Sequence, residues 1–198
     1  MQHKRNPWVS IADLLSSVVL ILLLLYVMAS IVPKFTQEAK QNDMMKQLQD
    51  ALTEYEDKGQ LQVHIDTGTL EFTSITFESG SAEVTGDTKK LISDLAQKVK
   101  LYMDTQEKME ILVEGHTDPA VIHDVLNRGG YFADNVQLST LRAANVRKEM
   151  LANMGSQYAQ RIGVSGYGDT RLKNKDNPLS AENRRIEIRI LWNGQENK

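Results

Sequence analysis

The chain has 198 residues, a formal net charge of −3 and no cysteine. Its mildly acidic balance, without a long basic run, excludes nucleic acid as the main partner, because phosphate binding needs clustered Lys and Arg. The missing cysteine excludes a disulfide framework, a thiolate metal site and a lipid anchor on an N-terminal Cys.

Apolar residues are nearly continuous from Ile11 to Val32. About 20 such residues span a bilayer core as a helix. Pro33 and Lys34 are expected to close it. This predicts a single-pass inner-membrane protein of four parts: an N-terminus over 1–10, a membrane helix over 11–32, a helical linker over 33–60 and a folded domain over 61–194. Lys4 and Arg5 precede the helix, and cytoplasmic flanks favour Lys and Arg. The N-terminus is therefore expected in the cytoplasm and the domain outside it, although Lys34 and Lys40 dilute the asymmetry. The competing reading is a cleaved signal peptide, with Val27 and Ala29 before the cut. Against it, the run exceeds the about 7–15 apolar residues of such a segment and carries an acid, Asp13.

A carboxylate inside a membrane helix costs about 2.5–3.5 kcal/mol, so such an acid is a functional candidate by default. The plainer reading of Asp13 is an N-terminal cap at the interface. It lies about eight residues from the middle of the run, roughly 12 Å along the axis. Ser16 and Ser17 follow one turn later, where they can hydrogen-bond the carboxyl group or a water. Trp8 suits an interfacial anchor, and Tyr26 lies near the far end. Ala12-Asp13, Ser16 and Tyr26 together resemble the transmembrane helix of the MotB family of motor stator subunits. The resemblance implies that Asp13 carries the ion and that Ser16 and Ser17 line its path. The ion is a proton or sodium, and no other cofactor is implied. A charge crossing 100 mV releases about 2.3 kcal/mol.

Residues 34–58 are polar and favour a helix. Met45, Leu48, Leu52 and Tyr55 form a narrow apolar seam with the spacing of a short coiled coil. Two readings stay open: a dimer stalk, or a helix lying on the folded domain. Gly59 is expected to end it.

Alternation then predicts strands over 62–66 and, through Leu70, Phe72, Ile75 and Phe77, a second extended stretch. Leu91, Ile92, Leu95, Val99 and Tyr102 fall at helical spacing within 87–102. Ile111–Val113 reads as a strand, 138–154 as a helix stopped by Gly155, and 161–165 as a strand. Ile186, Ile188 and Ile190 alternate with Glu187 and Arg189 in a last strand. Strands interleaved with helices predict an α+β fold, a mixed sheet with helices packed on one face.

Five ordered motifs resemble the OmpA-like peptidoglycan-binding domain. They are Ile75–Glu83, Glu114-Gly115-His116-Thr117-Asp118, Asn135-Val136-Gln137-Leu138-Ser139-Thr140-Leu141-Arg142-Ala143, Gly166-Tyr167-Gly168 and Asn183-Arg184-Arg185-Ile186-Glu187. The implied ligand is a diaminopimelate-type stem peptide, which ends in an ammonium and a carboxylate. By resemblance Asp118 takes the ammonium and Arg142 the carboxylate, which Arg grips bidentately. Thr117 belongs to the same turn. Ser139 is expected to cap the helix and leave backbone N–H groups for an anion. Asn183 and Arg184 are expected to shape the wall, against a plainer reading of Arg184 and Arg185 as surface charges. For Asp118 and Arg142 the plainer reading is a loop–helix salt bridge. The chain departs from the family pattern in a longer connection, Pro119–Asp134, whose role the motifs do not define.

His116, Asp118, His123 and Asp124 are an alternative metal cluster. It is set aside because His116 already has a place in the OmpA-like motif, so no metal is expected. No nucleophile elbow, phosphate loop or pair of catalytic carboxylates is present, so no catalytic residue and no enzyme activity are expected.

An acid-bearing membrane helix joined to a wall-binding domain is similar to a MotB-type stator subunit. That resemblance implies a homodimer inside a pentamer of a MotA-like multi-pass partner, driven by ion flow. The process is flagellar rotation or, since Trp8–Asp13 also resembles ZorB, a Zorya-type phage-defence system. The alternative is a non-conducting tether between membrane and wall.

Overall fold

The structure is a computed structural model that describes residues 7–73, 77, 82–84, 86–120 and 134–192. It divides into two compact units, Met1–Asp43 and Met44–Lys198.

In the first unit the apolar run is helical, within α1 (Pro7–Asp57). Its most apolar 18-residue window has a mean hydropathy of 2.7, and none of that window is buried. Among the described residues α1 is the one helix long and apolar enough to cross a membrane. The apolar run closes at Pro33 but the helix does not. Proline removes one backbone donor from the ladder. The residues beyond it, Glu38, Ala39, Lys40 and Gln41, are good helix formers, and losing one bond does not stop them. Thr36 also donates its hydroxyl to the Val32 carbonyl at 2.8 Å.

In the second unit the end of α1 belongs to the folded domain. Met44, Met45, Leu48 and Leu52 are buried in its core. The Tyr55 hydroxyl donates to Asp94, which pushes the phenol up to about 12. Glu56 accepts the Val63 N–H at 2.9 Å. Of the two readings left open for the seam, the structure shows the helix lying on the domain. These apolar side chains gain about 1.5–3 kcal/mol each from leaving water.

The remaining elements are β1 (Leu61–His64), β2 (Thr69–Phe72), α2 (Gly86–Thr105), β3 (Met109–Gly115), α3 (Asn135–Met154), β4 (Ile162–Gly166) and β5 (Ile186–Trp192). Short 3-10 turns cover Ser156–Arg161 and Ala181–Asn183. The fold is α+β, as the alternating pattern predicts. The sheet order is β1-β2-β5-β3-β4. β3 and β4 are parallel, and every other pair is antiparallel. A parallel pair needs a crossover, and α3 supplies it.

Side chains alternate across the strands. Leu70, Phe72, Ile111, Val113, Ile186, Ile188 and Ile190 share one core with Ile92, Leu95 and Val99 of α2 and Val146 and Met150 of α3. The other parity carries Glu71, Glu114, Glu187 and Arg189. The predicted second stretch stops earlier than expected: β2 ends at Phe72, Ile75 lies outside the described residues, and Phe77 is not in a strand.

Candidate functional site

Strands β3 and β4 end, and β5 begins, at the same end of the sheet, because Gly115 is in register with both Gly166 and Ile186. Ligands of sheets with parallel strands collect at the carboxyl ends of those strands. The first turns of α3 press onto this end. A Cβ on Gly115 would fall on the Ser139 carbonyl, and one on Gly166 on the hydroxyl of Thr140. Glycine is the residue that permits this approach. It brings His116-Thr117-Asp118, Tyr167-Gly168 and the first turns of α3 together.

Asp118 is buried, at 8% exposure, and Arg142 is at 4%. Asp118 Oδ2 accepts from Arg184 Nη1 at 2.6 Å, and Oδ1 accepts the Ala120 N–H at 3.2 Å. The Arg142 guanidinium lies 4.7 Å from the centre of the Phe77 ring. Burial, opposed by the Asp118 charge, pulls Arg142 down to about 10, and it stays charged at neutral pH. One buried carboxylate beside two guanidiniums suits a ligand with both an ammonium and a carboxylate. Asn135 donates to the carbonyls of Asp118 at 3.2 Å and Ala120 at 3.3 Å, holding the acid's loop on α3.

A match to the OmpA family runs over residues 76–185, more than half of the chain. The chain belongs to the OmpA family. The chain is 34% identical over 116 residues to a candidate truncated flagellar export/assembly protein, LafU, of Escherichia coli (strain K12). The aligned part is 58% of this chain and 49% of that protein. The longer LafU of Escherichia coli O44:H18 is likewise 34% identical, with 34% of its length covered. The chain thus spans about half or less of these relatives. A MotB-like protein from Desulfovibrio vulgaris has the same fold, with a TM-score of 0.62 and 20% identity over 78% of this chain and 96% of the other. The periplasmic domain of Helicobacter pylori MotB aligns with a TM-score of 0.54 and 21% identity, over 69% of this chain and 83% of the other. The cell wall anchor of the T6SS from Pseudomonas aeruginosa aligns with a TM-score of 0.57 and 25% identity, over 73% of this chain and 96% of the other.

Several residues expected in the OmpA-family site have other work. Ser139 does not cap α3. Asp134 does, in extended backbone, accepting the Gln137 N–H at 2.8 Å. Ser139 sits within the first turns of the helix, donates to the Val136 carbonyl at 2.9 Å and accepts the Gly168 N–H at 2.9 Å. It joins α3 to the loop after β4. Asn183 is fully buried, and its amide nitrogen donates to the carbonyls of Asn174, Asn177 and Pro178, while its oxygen accepts the Asn174 N–H at 2.9 Å. It folds that loop and so sets the base of Arg184, instead of presenting its amide to a ligand. Arg184 is not an idle surface charge, because it pairs with Asp118. Arg185 is buried, donating to Glu187 at 2.7 Å and to the Arg171 carbonyl. Thr117 donates its N–H to Gly168 O at 2.8 Å, while its buried hydroxyl has no hydrogen-bond partner among the described residues.

His116 stacks on Tyr167 with ring centres 5.4 Å apart. Burial, helped by Arg185, pushes its imidazole down to about 4. Its suggested metal partners His123 and Asp124 lie outside the described residues, as does most of the connection from Pro119 to Asp134.

On α1, Ser16 and Ser17 donate their hydroxyl protons to the carbonyls of Ala12 at 2.8 Å and Asp13 at 2.9 Å. Each proton goes to the helix backbone and not to the Asp13 carboxylate. The oxygens keep lone pairs that can accept a hydrogen bond. Nothing in the order of residues links Phe77 to Arg142, and the fold alone brings them together.

Proposed function

We propose that this chain is the wall-anchoring subunit of a MotB-type, ion-driven membrane stator. Its OmpA-family domain holds a diaminopimelate-type stem peptide of peptidoglycan, and Asp13 carries a proton or sodium ion past a MotA-like multi-pass partner. The observation that carries this is the pairing of two features in one chain: a carboxylate in an exposed apolar helix, and a buried Asp118–Arg184 pair beside Arg142 at the end of the sheet. Asp118 takes the ligand ammonium and Arg142 its carboxylate, with Arg184 at the rim. In this arrangement the domain fixes a dimer to the wall, with the N-terminus in the cytoplasm. Ion flow then turns the partner ring, and the chain itself catalyses no covalent step.

The flagellum is favoured as the process served, since the LafU relatives are described as flagellar export/assembly proteins. Zorya-type defence rests on Trp8–Asp13 alone. A gene neighbourhood of flagellar genes supports the first, and one with a helicase and a nuclease-like set supports the second. The fold of the T6SS cell wall anchor favours a second reading, a non-conducting tether. Co-sedimentation with purified peptidoglycan tests the part common to both. Wild type is expected in the pellet, and Asp118→Ala and Arg142→Ala in the supernatant. Pelleting of both variants at the wild-type level removes the proposed site. Copurification with a multi-pass partner separates motor from tether.

A further inference from the structure

The sheet face away from the helices holds a group that neither the wall site nor the membrane helix uses. Glu71, Glu187 and Glu114 stand on one rung of three neighbouring strands. His116 follows Glu114 by two residues at the exit of β3, so it falls on the same face. It is 2% exposed, and neither ring nitrogen has a hydrogen-bond partner among the described residues. Buried polar atoms are ordinarily satisfied, so an orphan imidazole calls for an account. Its Nε2 lies 3.7 Å from Glu187 Oε1. One donor atom each from Glu114, His116 and Glu187 lie within 4.8 Å of one another.

We propose that Glu114, His116 and Glu187 form a site for a divalent transition metal of the zinc type. One imidazole and two carboxylates are a zinc donor set, with a fourth position for water. Calcium and magnesium prefer oxygen donors alone, in larger number. Zinc sits about 2.0–2.2 Å from such donors, so the three draw inward by about 1 Å as side chains turn. A cavity lined by His64, Thr67, Thr69, Glu71, Glu187 and Arg189 shares Glu187 with the group and gives an approach. The carboxylates are steadied from behind: Arg185 donates to Glu187 Oε1 at 2.7 Å, and Arg189 to Glu114 Oε2 at 2.9 Å. Outer hydrogen bonds of this kind orient metal ligands. These arginines are also the ion's competitors, because a guanidinium and a metal seek the same carboxylate.

The test uses the full chain in detergent, stripped with chelator and titrated with zinc alone. The expected result is one zinc per chain, an X-ray absorption spectrum with one imidazole nitrogen among oxygen neighbours, and a melting temperature that rises with zinc. Glu187→Gln and Glu114→Gln are expected to weaken uptake at least tenfold while melting like the stripped wild type. His64→Ala leaves uptake unchanged. No zinc uptake by wild type, or the same uptake in Glu187→Gln, overturns the proposal. Where His116→Asn fails to fold, Glu187→Gln and the wild-type spectrum still decide. Wall co-sedimentation is a separate measurement, so either result stands without the other.

Discussion

Two carboxylates, Asp13 and Asp118, are the centres of the two proposed functions, and their surroundings are opposite. Asp118 is built in: it is 8% exposed and bonded to Arg184 at 2.6 Å. Asp13 is exposed on an apolar helix segment that buries none of its own surface. A buried charge is tolerable when its partners are fixed around it. The domain brings such partners within one chain, from the loop after β3, from α3 and from the turn before β5. Among the described residues the apolar segment places backbone-bonded serines near Asp13, and on the proposed reading a protein partner completes its setting. The domain's chemistry is therefore testable on this chain alone, and the helix's chemistry in an assembly.

The largest expected effect breaks the contrast at the helix. Asp13→Asn should abolish ion-driven activity while copurification with the partner persists, measured as ion flux or rotation. Full activity in that variant makes Asp13 an ordinary interfacial cap. The next prediction compares two leucines of α1. Leu48 is fully buried and Leu22 is 59% exposed. Leu48→Ala should cost the domain about 2–5 kcal/mol in denaturant unfolding, and Leu22→Ala close to nothing. Equal effects would separate the end of α1 from the domain.

At the wall site, Asp118→Ala and Arg142→Ala should each weaken peptidoglycan binding at least tenfold, about 1.4 kcal/mol. Arg184→Ala should weaken it less, because that side chain is 45% exposed and an exposed ion pair contributes little. The smallest effect concerns α3. Asp134→Ala should cost about 1 kcal/mol of stability through loss of the cap. Ser139→Ala should instead loosen the loop at Gly168. Thermal melts of the two variants, with peptide binding measured beside them, sharpen this division.

The sequence by itself determined the apolar helix, the α+β class and the helix-covered face of the sheet. These follow from local periodicity, which each segment carries in its own residues. The five motifs also singled out Asp118 and Arg142, through resemblance and not through spacing, and the fold brings Arg142 within range of the Asp118 charge. Tertiary structure decided what depends on segments far apart in the chain. It put the Met45–Leu52 seam into the domain core, gave the cap of α3 to Asp134 and turned Asn183 inward to fold a loop. It also laid Arg142 over Phe77 and set three glutamates on one rung beside an orphan histidine. Register and crossover fix such neighbours, and a side chain's partner across a sheet leaves no mark in the order of residues.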